Sequence, residues 1–211
     1  ADGKEYIFVD TAGLRRKAQV DETLETISAL KSIQAMEDSD VVLLILDAKD
    51  IVSKQDKRIA SLAIAAGKGL ILVLNKADLL TTAERKEKET ETRAALSFAR
   101  FSPLLFVSAL TRDGLPKLFP LITTVHNNRL RRISTSELRR WYETAIAHIP
   151  AHELSRSKYV TQAEGLPPTF VVFVRNPKKV AVSQLRALEN NIRSVFSFEG
   201  VPLRWVTKGQ N

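Results

Sequence analysis

The sequence has 211 residues, 44% of them hydrophobic and 27% charged, the balance of a folded globular chain rather than a disordered one. It contains no cysteine, which excludes disulfides, thiolate metal sites and cysteine nucleophiles and fits the reducing cytoplasm, and no apolar run approaches the about 18 residues that span a bilayer, so no membrane partner is expected. The whole net charge of +8 sits in residues 128–211, with 14 Lys and Arg against 6 Asp and Glu, whereas residues 1–127 balance 18 against 18.

The chain opens on Ala1-Asp2-Gly3-Lys4, which has neither the basic head nor the apolar stretch of a signal peptide and no initiator methionine. Tyr6–Val9 then reads as a short strand and Leu24–Glu37 as an amphipathic helix. Val41–Leu46 is the most β-like run of the chain. Lys54–Ala66 has Ile59, Leu62, Ala63 and Ala66 at helical spacing and is closed by Gly67 and Gly69. Leu70–Leu74 is a second apolar strand, Glu84–Phe98 a charged helix, Leu104–Val107 a third strand and Leu115–His126 a last helix. Strands apolar throughout and separated by helices predict a parallel sheet covered on both faces, a doubly wound α/β domain.

The basic stretch Arg129-Leu130-Arg131-Arg132 marks the expected boundary between a domain over 1–128 and a second over 129–211. A helix capped by Ser134 or Ser136 is predicted to run to about His148, with Leu138, Trp141, Tyr142 and Ala145 inward. Lys158–Ala163 and Thr169–Val174 follow as strands, then Val182–Phe196 as a helix and Leu203–Val206 as a closing strand. That small basic α+β module points to a polyanion, most often nucleic acid, or to a basic surface that is only solvated or docked on an acidic neighbour. The three histidines, His126, His148 and His152, share no metal-ligand spacing.

Three short motifs fall at strand ends, where ligands bind in an open α/β sheet. Asp10-Thr11-Ala12-Gly13 follows the first strand: an aspartate there holds Mg²⁺ through water, and a glycine lets its amide approach a γ-phosphate. Asn75-Lys76-Ala77-Asp78 closes the Leu70–Leu74 strand. The acceptor-only Asp78 carboxylate suits the adjacent ring N–H and amino donors of guanine, a pair adenine lacks. Asn75 ties the loop and reaches the base edge, while the Lys76 stem covers the ring. Ser108-Ala109-Leu110 follows the Leu104–Val107 strand, with the Ala109 N–H placed to donate to the guanine carbonyl. Alone, the first motif also reads as a turn, the second as a polar helix-entry loop and the third as an ordinary strand end; their order on successive strand ends selects a guanine-nucleotide domain, and Asn75-Lys76-Ala77-Asp78 disfavours an ATPase that uses Asp10 as its metal-holding aspartate.

These motifs, with Leu14-Arg15-Arg16-Lys17 after the first and Phe106-Val107 and Thr111 around the third, resemble the second G domain of the Der (EngA) family of bacterial GTPases. Arg131-Arg132-Ile133-Ser134-Thr135-Ser136, Pro167-Pro168-Thr169-Phe170 and Phe196-Ser197-Phe198-Glu199-Gly200-Val201-Pro202 resemble its linker and C-terminal KH-like domain. The resemblance implies two tandem G domains followed by the KH-like domain, GTP or GDP with Mg²⁺ as ligands, slow K⁺-assisted hydrolysis, and a role in assembly of the large ribosomal subunit. Its implied partners are that subunit with its rRNA and the first G domain of the same protein.

The sequence departs from the family pattern in two ways. No Gly-x-x-x-x-Gly-Lys-Ser/Thr loop occurs in it, so the chain is expected to be a partial P-loop GTPase-type domain, inactive alone. Leu14 stands where many small GTPases carry a water-orienting glutamine. Arg15-Arg16-Lys17 reads equally as a mobile switch or a solvated loop. The second domain lacks the Gly-x-x-Gly clamp of ordinary KH domains. Its Arg131, Arg132, Lys158, Arg175, Lys178 and Lys179, with Arg139, Arg140, Arg186 and Arg193, are the candidates for phosphate or domain contact. The rival function is an RNA- or protein-binding module whose partial G domain is only scaffold. The connection from His152 to Lys158 is shorter than the family's.

Overall fold

Leu and β-branched residues without interruption make strands β1 (Val41–Asp47) and β2 (Gly69–Asn75), and β3 (Leu104–Phe106) adds a shorter third. All are parallel in the order β1-β2-β3, with Asp47 opposite Asn75 and Leu74 opposite Phe106. The computed structural model describes residues 5–9, 34–147, 153–154, 157 and 159–209. Central β2 is buried at six consecutive positions, as a parallel strand covered on both faces must be. Strand β1 departs from that expectation: Leu44 and Leu46 are buried on one face, but Ile45 between them is 57% exposed on the other.

Helix α1 (Lys54–Ala65) crosses from β1 to β2. It opens on a reciprocal cap in which the Asp56 N–H donates to Ser53 Oγ at 3.1 Å and the Ser53 N–H to the Asp56 carboxylate at 2.9 Å. Ala60 and Ala63, fully buried, let its backbone lie close on Leu44, Leu72 and Leu74. Helix α2 (Thr82–Ala95) repeats the device with Thr81 and Glu84, and those hydrogen bonds hold the Glu84 carboxyl below its usual range. It stops before the predicted Phe98, and Ser97–Ala99 tightens into a 3₁₀ turn. At Gly69 a Cβ would lie 2.6 Å from Val125 Cγ1, so only glycine lets α3 (Leu118–Leu130) seat on the start of β2.

Two expectations fail here. Residues 5–9 carry no strand: they make no backbone ladder, and Tyr6 and Phe8 instead set their rings edge-on against Phe119 of α3, at 5.3 and 6.0 Å. Helix α3 does not end at His126 but runs to Leu130, since neither Gly nor Pro interrupts Asn127–Leu130, and it carries Arg129 into a buried position. Of the predicted Leu24–Glu37 helix only 34–37 are described, and they are helical.

The chain divides into two compact units, Ala1–His126 and Asn127–Asn211. In the second, α4 (Thr135–Ala147), β4 (Tyr159–Gln162), β5 (Thr169–Val174), α5 (Val182–Val195) and β6 (Arg204–Gly209) follow the predicted order. The sheet order is β4-β5-β6, with β4 antiparallel and β6 parallel to β5. Leu138, Trp141 and Tyr142 of α4 meet Phe170 and Val172 of β5 and Leu188 and Ile192 of α5 in one core. There burial pushes the Tyr142 hydroxyl up to about 12 against a smaller opposing pull from Ser157. Buried Gln162 pins the entry to α4, accepting the Ile133 N–H at 2.9 Å and donating to the Arg131 carbonyl at 2.8 Å. No helix among the described residues is long and apolar enough to cross a membrane.

Candidate guanine-recognition site

The parallel sheet sets the ends of β2 and β3 side by side, and the loops that leave them are stitched together. The Val107 N–H donates to the Leu74 carbonyl at 2.9 Å, and the Ala77 N–H to the Val107 carbonyl at 3.0 Å. One side chain completes the join: Asn75 Oδ1 accepts the Ala109 N–H at 3.0 Å. Buried Ser108 holds its own loop, its hydroxyl accepting the Thr111 N–H at 3.1 Å and its N–H donating to the Asp113 carbonyl at 2.9 Å. Past that turn Gly114 (φ +75°) lies so close under Phe106 that a Cβ would stand 2.2 Å from its carbonyl oxygen.

Lys76 adopts the left-handed conformation, φ 64°, uncommon for a residue with a Cβ and stored where the loop must reverse. Its ammonium lies 2.6 Å from the Asp47 carboxylate at the end of β1, and the Lys49 N–H holds the other Asp47 oxygen at 2.9 Å. The ion pair therefore ties the lysine head to the end of β1. Arg85 of α2 braces the far side, donating to the Ala77 carbonyl at 2.8 Å with Asp113 at 3.8 Å.

Asn75, Lys76, Asp78, Ser108, Ala109 and Leu110 thus come together on two adjoining loops. Asp78 is exposed, and among the described residues its carboxylate has no hydrogen-bond or ion-pair partner. Leu110, in the loop after β3, is 85% exposed, an apolar side chain standing in solvent. The Ala109 N–H, assigned from sequence to the base carbonyl, is engaged by Asn75 here. Asp10, Thr11, Ala12 and Gly13 lie outside the described residues, as does Lys158. No group of three His, Asp or Glu side chains among the described residues is placed to hold a metal ion. Sequence reasoning missed Asp47 and Arg85. The only signal for Asp47 is that it closes β1 as Asn75 closes β2.

The basic residues of the second unit do not form one cluster. Arg131 and Arg132 lie by the Gln162 end of β4, and the Arg132 guanidinium donates to the Ala163 and Gln162 carbonyls. Arg175, Lys178 and Lys179 follow the opposite end of the sheet and are exposed. Arg193 is committed to structure: it donates to the Phe198 and Val201 carbonyls at 2.9 Å each and pairs with Glu189 at 2.8 Å. Arg139 pairs with Glu143 at 2.9 Å.

Residues 25–128 match the GTP-binding domain of elongation factor Tu, and residues 132–208 match the KH-domain-like family of EngA bacterial GTPase enzymes, C-terminal. The fold is therefore a G-domain-type parallel sheet joined to a KH-like module. GTPase Der of Geobacillus sp. strain WCH70 is 40% identical over 213 residues, covering 98% of this chain and 49% of that protein. GTPase Der of Heliobacterium modesticaldum is 41% identical over 210 residues, covering 97% and 48%. The chain belongs to the Der (EngA) GTPase family and spans about half the length of the curated relatives it matches. Among solved structures, Aquifex aeolicus Era bound to GDP·AlF4⁻ aligns with 91% of this chain and 73% of its own at 16% identity and a TM-score of 0.44, too loose to bear on function.

Proposed function

We propose that the first unit carries the guanine-selecting face of a GTPase and the second an RNA-contacting module, the pair serving assembly of the large ribosomal subunit. The observation that carries the nucleotide reading is the Asn75–Ala109 hydrogen bond, which locks two motif loops together while leaving the Asp78 carboxylate exposed and unpartnered among the described residues. A carboxylate in that state accepts from the ring N–H and amino group of guanine, and adenine has no such donor pair to satisfy it. Asn75 ties the loop of Asp78 to the loop of Ala109, and the Ala109 N–H shares its proton between Asn75 Oδ1 and the guanine carbonyl in a three-centre hydrogen bond. The Lys76 stem, tethered by Asp47, covers one face of the base and Leu110 the other.

Asp10 and Gly13 would serve Mg²⁺ and the γ-phosphate, and K⁺ would assist hydrolysis as in the family the sequence resembles. The sequence contains no Gly-x-x-x-x-Gly-Lys-Ser/Thr loop, so the chain alone lacks the main phosphate cradle and does not turn over GTP. Base recognition is nonetheless measurable. In an NMR titration of the isotopically labelled chain, GDP is expected to shift the amides of 76–79 and 109–111, saturating near millimolar, about −4 kcal/mol. ADP is expected to leave them in place. An equal response to ADP, or none to GDP, would overturn the reading.

A further inference from the structure

Aromatic and cationic side chains meet on one face of the second sheet. With β4 antiparallel and β6 parallel to β5, Tyr159, Phe173 and Lys208 fall in one row across the three strands. Successive side chains of a strand point to opposite faces, and Val160, Val172 and Val174 point into the core between sheet and helices. Tyr159, Phe173 and Lys208 therefore occupy the opposite face, with Thr161, Val171 and Val206 in the next row. The Tyr159 and Phe173 rings sit 5.2 Å apart, inclined at 50°. Tyr159 is 49% exposed and Val206 39%, while Val171 between the flanking strands is buried. The same end of the sheet carries exposed Arg175, Lys178 and Lys179, and the Pro177–Lys179 turn packs against β6.

A half-exposed ring on a sheet face, with ammonium and guanidinium groups at the same end, has the chemistry of a single-strand platform: each base offers an aromatic face and each linkage a negative charge. A duplex would satisfy the cations but keep its bases stacked on one another and leave Tyr159 unused. An acidic protein segment would likewise use the lysines without the ring. We propose that the outer face of the β4-β5-β6 sheet binds single-stranded RNA, one base stacking on Tyr159 and the adjoining phosphates lying against Lys208, Arg175, Lys178 and Lys179. This rests on the reading of the second unit as an RNA-contacting module, and it assigns that contact to a face the missing Gly-x-x-Gly clamp does not serve.

The test is fluorescence anisotropy of a short labelled oligouridine with the full chain, each variant first checked by thermal melting. Tyr159→Ala is expected to weaken binding about tenfold and Tyr159→Phe to leave it unchanged, since stacking needs the ring and not the hydroxyl. Lys208→Ala is expected to weaken binding and lower the salt slope by about 0.7. Exposed at the sheet's end, Lys208 keeps the proposal testable if Tyr159→Ala does not fold. Wild-type binding that neither Tyr159→Ala nor Lys208→Ala weakens would overturn this face while leaving the RNA reading intact. No binding of oligouridine by the wild type, with or without binding of an acidic peptide, would overturn both.

Discussion

Asn75 and Lys76 show how a few side chains set the shape of a loop at a strand end. The Asn75 amide spends its oxygen on the neighbouring loop, and the strained Lys76 backbone turns Asp78 outward, so rigidity and exposure come from adjacent residues. Tyr142 illustrates the opposite use of a polar atom. Burial raises its hydroxyl to about 12 from an ordinary value of 10.0. An unfolded chain therefore releases that proton first, and the folded state loses stability as pH climbs from 10 towards 12. Below pH 10 both states keep the proton and the contribution is constant. The melting temperature of the second unit is expected to fall more steeply over that range in the wild type than in Tyr142→Phe. Parallel curves would show that Tyr142 is not the titrating group. The Asn75–Asp78 and Ser108–Ala109 motifs were legible in the sequence because residue type and strand-end position coincide there. Asp47, Arg85 and the spent guanidinium groups of Arg132 and Arg193 were not, since charge counting does not say which cation already has a carbonyl to serve.

Among the elements, sequence pattern worked best where a strand or helix is specified by its own residues. Strand β2 is apolar because both its faces are covered, and α1 and α2 start where Ser53 with Asp56 and Thr81 with Glu84 cap them. Tyr6–Val9 has strand composition but no ladder partner among the described residues, and composition cannot supply one. The end of α3 was misplaced for a related reason: a basic stretch resembles a linker, yet Arg129 lies in the last turn of a helix with no Gly or Pro after His126 to end it sooner. Gly69 is the element-scale weak point. Its missing Cβ leaves room for Val125, a stiff buried side chain that cannot swing away. Gly69→Ala is expected to cost about 1–3 kcal/mol in urea unfolding, and Gly69→Ala/Val125→Ala less than the sum of the two single changes. Strict additivity would mean that the two residues do not meet.

At the scale of the whole molecule, the charge asymmetry separates two chemistries. The neutral first unit carries the proposed base-recognition loops, and the entire net charge lies in the second, where Arg132 and Arg193 are already spent on carbonyls. The order of elements in the second unit was predictable from periodicity; its basic residues proved to lie at opposite ends of the sheet, which no linear pattern states. The proposed nucleotide site likewise depends on a parallel sheet that brings residues 75 and 109 into contact, and on Asp78 choosing the base. The most direct measurement is the same NMR titration on Asp78→Asn, with GDP and with xanthosine diphosphate, whose ring carbonyl replaces the guanine amino group and calls for a donor. The variant is expected to lose the GDP response at 76–79 and 109–111 and to gain one with xanthosine diphosphate. An Asp78→Asn chain that still responds to GDP as the wild type does, and ignores xanthosine diphosphate, would contradict the assignment of Asp78 as the guanine-reading residue.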